Sequence, residues 1–334
     1  MKIVFNFFGA RISVNGPEEV IRKIRMDFSF FYDNKETADL DFEIDIMEQE
    51  PDYGMIPQTC RVFRLHPDFD FYSDGEFNYT KYTENCLTIF NKRSGILKIY
   101  CRNDNIIHEI TYLAVLSFFG ENLERKGIYR IHGLCFMISG VPIVIISDSG
   151  VGKTMLFLQM MKQEKISFYS DEIVLVNKDR DILPFPLRIG LRRDDSDSFS
   201  GIPEKYVYGI ERRKFGPKVL VDSEVFKDRV AAPAAAEIFI VAVRHETGFL
   251  KRAGKVRLFT ALLRNMVIGV GLPQLIEYMN LDFTPRDIIK LSIKAVRRLR
   301  MAISITLHSK AYFMGAAKDP AVNLNMLVEV FSKE

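Results

Sequence analysis

Val141-Pro142-Ile143-Val144-Ile145-Ile146-Ser147-Asp148-Ser149-Gly150-Val151-Gly152-Lys153-Thr154-Met155-Leu156-Phe157-Leu158 is the stretch that decides how the rest of the chain is read. An apolar run of strand length gives way to a loop of small residues, and Gly-Lys-Thr then opens an apolar helical stretch. A strand that delivers such a loop to a helix N-terminus is the setting of a phosphate-binding loop. Backbone N–H groups curl around phosphate oxygens there, the helix end adds partial positive charge, and the lysine neutralises the outer phosphates. On this pattern Ser147, Asp148, Ser149, Gly150, Val151, Gly152, Lys153 and Thr154 bind the nucleotide, with the Thr154 hydroxyl as a Mg²⁺ ligand. The usual pattern begins with glycine. Ser147 stands in that place and resists positive φ.

Downstream, Asp171-Glu172 are carboxylates set between Phe168-Tyr169 and Ile173-Val174-Leu175. Charge in an apolar strand is costly unless a cation or partner compensates it. A carboxylate on a strand near a phosphate loop can hold Mg²⁺ or take a proton from an acceptor hydroxyl; the alternative is a pair at a strand end facing water or held by a structural lysine. Upstream, residues 128–138 read as one strand that pairs with the loop strand across the turn Ser139-Gly140. His132 falls on it, where it orients Asp171, contacts a phosphate or serves the core.

Ile131-His132-Gly133, Ser139-Gly140, Asp148 through Thr154, and Ser170-Asp171-Glu172-Ile173-Val174 together resemble the core of the HPr kinase/phosphorylase superfamily. That superfamily is related to phosphoenolpyruvate-carboxykinase-like folds and to the HPr-kinase-like peptide kinases of lasso-peptide gene clusters. The resemblance is concentrated in residues 128–176 and continues through Pro184-Phe185-Pro186-Leu187, Ala231-Ala232-Pro233 and Ala311-Tyr312-Phe313-Met314-Gly315. Residues 1–104 do not match the N-terminal domain of HPr kinase. The resemblance implies an α/β P-loop core with a mixed sheet and flanking helices, and ATP-dependent phosphorylation of a hydroxyl. By position it implies that Lys153 contacts the β- and γ-phosphates, Thr154 binds Mg²⁺, Asp171 is the general base, Glu172 its Mg²⁺-binding partner, and His132 the support of the acidic pair. Segments that serve HPr binding and phosphorylase activity are not recognisable. The implied acceptor is therefore a serine-type hydroxyl of another peptide or protein, such as a ribosomal precursor peptide, or a small alcohol. The alternative is a nucleotide-binding regulatory or assembly module that needs Lys153 and Thr154 but passes no phosphate to a second molecule. Arg188, Arg192 and Arg193 either stabilise the transferring group or an acidic substrate, or form a solvated cluster.

Around this core, Ile3, Phe5 and Phe7 alternate, as do Leu40, Phe42, Ile44 and Ile46, and apolar runs flank the turn 91–95. Residues 1–104 are expected to form a β-rich N-terminal domain for substrate recognition. A helix over 105–126, stopped by Gly127, opens the nucleotide-binding domain 105–334. Later come a polar loop at 194–218 expected to move, a buried strand at 237–244, and helices at 257–270, 285–300 and 320–331, with a strand at 303–307.

Composition limits the partners. Forty-six basic and 43 acidic residues leave a net charge of +3, too balanced for bulk nucleic-acid binding. Besides the arginines at 188–193, basic patches stand at Arg212-Arg213-Lys214 and at Lys290, Lys294, Arg297, Arg298 and Arg300, the last read as a solvated helix face. Cys60, Cys86, Cys101 and Cys135 have no metal-ligand spacing and read as reduced thiols. The apolar segment 134–146 is interrupted by Gly140 and Pro142 and is too short for a bilayer, and the first residues lack a signal-peptide pattern. The expectation is a cytoplasmic protein without membrane or nucleic-acid partners, its oligomeric state open and a homo-oligomer included.

Overall fold

Strictly alternating apolar and charged residues demand a sheet with one covered face, and the first of two compact units is built on one. The computed structural model describes residues 1–34, 39–148, 150–192, 201–212, 216–272 and 284–332, with backbone alone at 63–66, 191–192 and 212. Unit one comprises Met1–Leu123 and the described residues within Glu204–Leu220 and Pro273–Ile289; unit two takes Glu124–Pro203, Val221–Leu272 and Lys290–Glu334.

In unit one, β1 (Lys2–Phe7), β2 (Ala10–Asn15), β3 (Phe42–Glu48), β4 (Arg61–His66), β5 (Phe69–Ser73), β6 (Phe77–Tyr82), β7 (Cys86–Asn91) and β8 (Ile96–Cys101) form one sheet. Its order is β1-β2-β3-β8-β7-β6-β5-β4, with β3 parallel to both neighbours. Helices α1 (Glu18–Asp27) and α2 (Asp104–Arg125) belong with it. Phe119 stacks on Phe7 with centroids 4.8 Å apart, and Phe118 on Phe42 at 4.2 Å. These ring contacts hold α2 in unit one as far as Leu123, past the change of composition near residue 105. Beneath them Asp27 pairs with His108 Nε2 at 2.8 Å and accepts a hydrogen bond from the Tyr208 hydroxyl, all three residues being buried.

After α2 come β9 (Tyr129–His132), β10 (Leu134–Ile138), β11 (Val141–Ser147), α3 (Lys153–Met161), β12 (Ser167–Ser170), β13 (Ile173–Val176), β14 (Asp181–Leu183) and β15 (Ile189–Arg192). Next, β16 (Val207–Arg212) and β17 (Gly216–Val221) are paired strands inside the stretch expected to be a loop. Tyr208, Ile210 and Leu220 supply buried side chains that the polar composition masked. β18 (Ala234–Ala235), β19 (Ile238–Arg244), β20 (Phe249–Arg252), α4 (Lys255–Leu262), α5 (Pro285–His308), β21 (Lys310–Ala316) and α6 (Pro320–Phe331) complete the chain.

Unit two contains a six-stranded sheet, β12-β10-β11-β19-β21-β20, and a four-stranded antiparallel one, β18-β14-β13-β9. The parallel strands β11, β19 and β21 lie side by side. Val144, Ile146 and Phe239 share a core with Leu258, Met301 and Ile305 from the helices; each such side chain contributes about 1.5–3 kcal/mol. Ser139 and Gly140 take φ of 52° and 84°, the geometry of a two-residue hairpin turn that twists with its strands.

Three sequence expectations are corrected here. Residues 128–138 are two strands, because the chain breaks at Gly133 and passes from the four-stranded to the six-stranded sheet. The Ile145 carbonyl oxygen lies 2.7 Å from where a Cβ of residue 133 would sit, so only glycine fits. The antiparallel partner ribbon switches sheets at the same level: β12 ends, Asp171-Glu172 cross, and β13 begins, with Gly133 N–H donating to the Glu172 carbonyl at 3.0 Å. His132 consequently pairs with Ile173, not with the loop strand. The strand expected at 303–307 is the end of α5, where Met301, Ala302 and Ile305 bury at helical spacing; the strand begins only at Lys310. Finally, Arg298 is buried, its Nε 3.2 Å from Glu124 Oε2, while Arg130 reaches Oε1 at 3.3 Å. Burial pushes the Glu124 carboxyl up, but the two guanidiniums outweigh it and hold it below the usual range. No helix among the described residues is long and apolar enough to cross a membrane.

Candidate functional site

Buried β11 ends at Ser147 and leaves the chain at the mouth of the parallel strands, where the loop turns into α3. Gly150 and Gly152 take φ of 86° and 100°, and nothing lies within 4 Å of a Cβ built on either. Glycine is needed there for backbone conformation, and the space above the loop is open. Ser147 is not among the residues with positive φ. Its backbone completes the strand, so the missing first glycine costs the loop no strain. Ser149 lies outside the described residues.

Lys153, the first residue of α3, folds back over the loop. Its three Nζ protons are shared among the Ser147 carbonyl at 3.0 Å, Ser147 Oγ at 3.3 Å, the Asp148 carbonyl at 3.3 Å and a ring nitrogen. His132 Nε2 stands 3.3 Å from the same ammonium. An ammonium has only protons to offer, so Nε2 accepts and the ring proton sits on Nδ1, a tautomer assigned from the network. His132 Nδ1 is buried without a hydrogen-bond partner, an omission that costs about 1–3 kcal/mol. Burial, and then Lys153, lower the His132 pKa against the opposing pull of Glu172 and Asp148. Burial also lowers the Lys153 pKa, opposed by Glu172, Asp171 and Asp148.

The carboxylates enter at the sheet crossing. Asp171 is buried and Glu172 half-buried, and both act on Lys153 electrostatically. The crossing explains why charge sits in an otherwise apolar ribbon: residues 171–172 lie between two strands that belong to different sheets, beside the Lys153 ammonium. The fold thus brings together Ser147, Asp148, Lys153, His132, Asp171 and Glu172. Thr154 follows in the first turn of α3, half-buried. Arg188 is not among the hydrogen-bond partners of Lys153 or His132. Arg193, Arg213 and Lys214 lie outside the described residues, as do the side chains of Arg192 and Arg212.

Sequence reading missed the far wall. After α4 the helix continues as a π-helical turn, Leu263–Ile268, and ends in Gly269 and Gly271, both at positive φ. A Cβ on Gly271 would meet the His132 ring at 3.3 Å, so this glycine lets the turn close over the imidazole. Arg264 reaches Asp148 Oδ2 at 3.3 Å, an exposed pair worth little by itself. Between this helix and the loop lies a cavity of about 650 Å³ lined by Ile146, Ser147, Asp148, Arg257, Arg264 and Phe313. The Arg257 guanidinium stands 3.8 Å over the Phe313 ring. The paired glycines after residue 268 were the available signal.

The open loop and Lys153 folded back over it fit a phosphate group. For Mg²⁺ the available donors are the Thr154 hydroxyl and the Asp171 and Glu172 carboxylates, hard oxygens suited to an ion that keeps most of its waters. Among the described residues no three His, Cys, Asp or Glu side chains cluster as a closed metal cage.

No protein-family model matches the chain, and no curated protein matches it. Among solved structures, the Hpr(Ser) kinase/phosphatase from Coxiella burnetii is similar at 14% identity over 49% of this chain and 98% of that one, with a TM-score of 0.21. A TM-score of 0.21 is too low to bear on fold or chemistry.

Proposed function

We propose that the chain is a Mg²⁺-ATP-dependent phosphotransferase that moves a γ-phosphate to a serine-type hydroxyl of a peptide or protein, or of a small alcohol. The observation that carries this reading is the convergence of Lys153, His132 and the Asp171-Glu172 crossing on the open loop. The N–H groups of the loop and the N-terminus of α3 bind phosphate oxygens. Lys153 exchanges its loop carbonyls for β- and γ-oxygens, with His132 Nε2 beside the ammonium. Bound Mg²⁺ supplies charge neutralisation across the phosphates, held by Thr154 and Glu172. Asp171 takes the proton from the acceptor hydroxyl; Lys153 and Glu172 keep it oriented. Little covalent chemistry is asked of the protein beyond this positioning.

The test is γ-labelled ATP with Mg²⁺ and a panel of serine-containing peptides and small alcohols. Label passes to an acceptor with the wild-type chain, and Lys153→Ala abolishes both transfer and ATP binding measured by calorimetry. Unchanged ATP affinity in Lys153→Ala overturns the loop assignment. ATP binding with no transfer to any acceptor leaves a nucleotide-binding module.

A further inference from the structure

Helix α5 turns Met301, Ala302 and Ile305 to the core of unit two but leaves other apolar side chains in water. Ile293, Val296, Ile303 and Leu307 are 47%, 46%, 42% and 66% exposed. With Arg300 in register, their spacing alternates between three and four residues. That spacing keeps them on one stripe of the helix, and it is the repeat by which one helix packs along another. Arg300 stands within the stripe and Arg297 on its edge, and both also line a cleft of about 480 Å³. The end of α2 and the turn before β14 add Arg125, Lys126 and Lys178 to the same cleft. Glu124, at its floor, is already neutralised by Arg130 and Arg298. The surface therefore offers aliphatic contact on one side and the guanidiniums of Arg297 and Arg300 on the other.

We propose that this surface docks an acidic amphipathic helix of a partner polypeptide, apolar side chains along the stripe and carboxylates over the cleft. A second copy of α5 is disfavoured because Arg297 and Arg300 would face their own kind. Nucleic acid is disfavoured because the stripe is aliphatic and offers no stacking platform. Tyr129, at one end of β9, lines the cleft, and His132 ends the same strand. Tyr129 and His132 thus stand about 10 Å apart along the strand, and the docking does not rest on the proposed phosphotransfer.

The test is fluorescence anisotropy of the full chain with a labelled synthetic helix of about 18 residues, enough to follow the stripe at 1.5 Å per residue. The probe carries leucine on its seam and glutamate on its flanks; the control replaces every glutamate with lysine. The acidic probe is expected to bind, less tightly as salt screens the arginines. Arg297→Glu combined with Arg300→Glu should lower affinity about tenfold or more, as should Ile303→Ser, while the midpoint of urea unfolding stays at the wild-type value and reports folding. Four results overturn the proposal: no binding of the acidic probe, equal binding of the lysine control, affinity unmoved in both variants, or duplex RNA binding that the same variants abolish. A dimer in light scattering that Ile303→Ser dissolves would assign the stripe to a second copy instead.

Discussion

Unit one and unit two each bury a histidine beside acidic residues, and the two groupings end in opposite states. In unit one, His108, Asp27 and Tyr208 close on one another, and both oxygens of Asp27 are engaged. In unit two, His132 keeps an unpartnered Nδ1, Lys153 is partly desolvated against loop carbonyls, and the acids sit at a break between sheets. A closed polar network fixes a core. An open one leaves polar groups beside an accessible loop, the arrangement on which the proposed function rests. Residue type is shared, and connectivity separates scaffold from site.

The contrast can be broken most sharply at the acids. Asp171→Asn should lower phosphate transfer about 10²–10⁴-fold while ATP affinity by calorimetry stays near wild type; undiminished single-turnover rates would remove Asp171 from the chemistry. Asp27→Ala should do the reverse. Opening the closed grouping strands His108 and Tyr208 and should cost about 3–5 kcal/mol in urea unfolding, with ATP affinity of the folded protein unchanged. A smaller effect follows from His132. Its folded pKa lies below the ordinary 6.5, through burial first and Lys153 second, so the unfolded chain binds more protons as pH falls. Stability is full above pH 6.5 and declines below it until the folded ring protonates; His132→Gln should flatten that decline in melting temperatures taken toward about pH 5. Least of all, Ser147→Gly should change unfolding free energy by only about 0.5–1 kcal/mol, destabilising, since no positive φ is relieved and a strand residue gains backbone freedom.

What the sequence disclosed was what local pattern can carry. The run 141–146 with its loop and helix, the hairpin around 91–95, and helices α2 and α6 all rest on periodicity and punctuation within a few residues. The sheet switch at Gly133 did not, because it is set by the Ile145 carbonyl, which reaches residue 133 only through strand pairing. An isolated glycine in a strand pattern was its one local trace. At 303–307 branched residues suggested a strand, and burial of Met301, Ala302 and Ile305 kept the helix going. Strands β16 and β17 were hidden by polar composition. Arg298 looked solvated beside its basic neighbours because nothing in α5 announces Glu124 as its partner. At the site itself the motif disclosed Lys153 and the acids, while Gly271 and Arg264, distant in sequence, had to be found in the fold.

The hydrogen bond from Gly133 N–H to the Glu172 carbonyl ties the backbone of the Asp171-Glu172 crossing to a residue that has no side chain. Whatever displaces residue 133 moves 171–172 with it, without any intervening rotamer to absorb the shift. The joint works as a mechanical coupling: sliding one sheet of unit two past the other would change the spacing between acid and lysine directly. Under the proposed function, the rigidity of that joint would set the distance between the acids and Lys153.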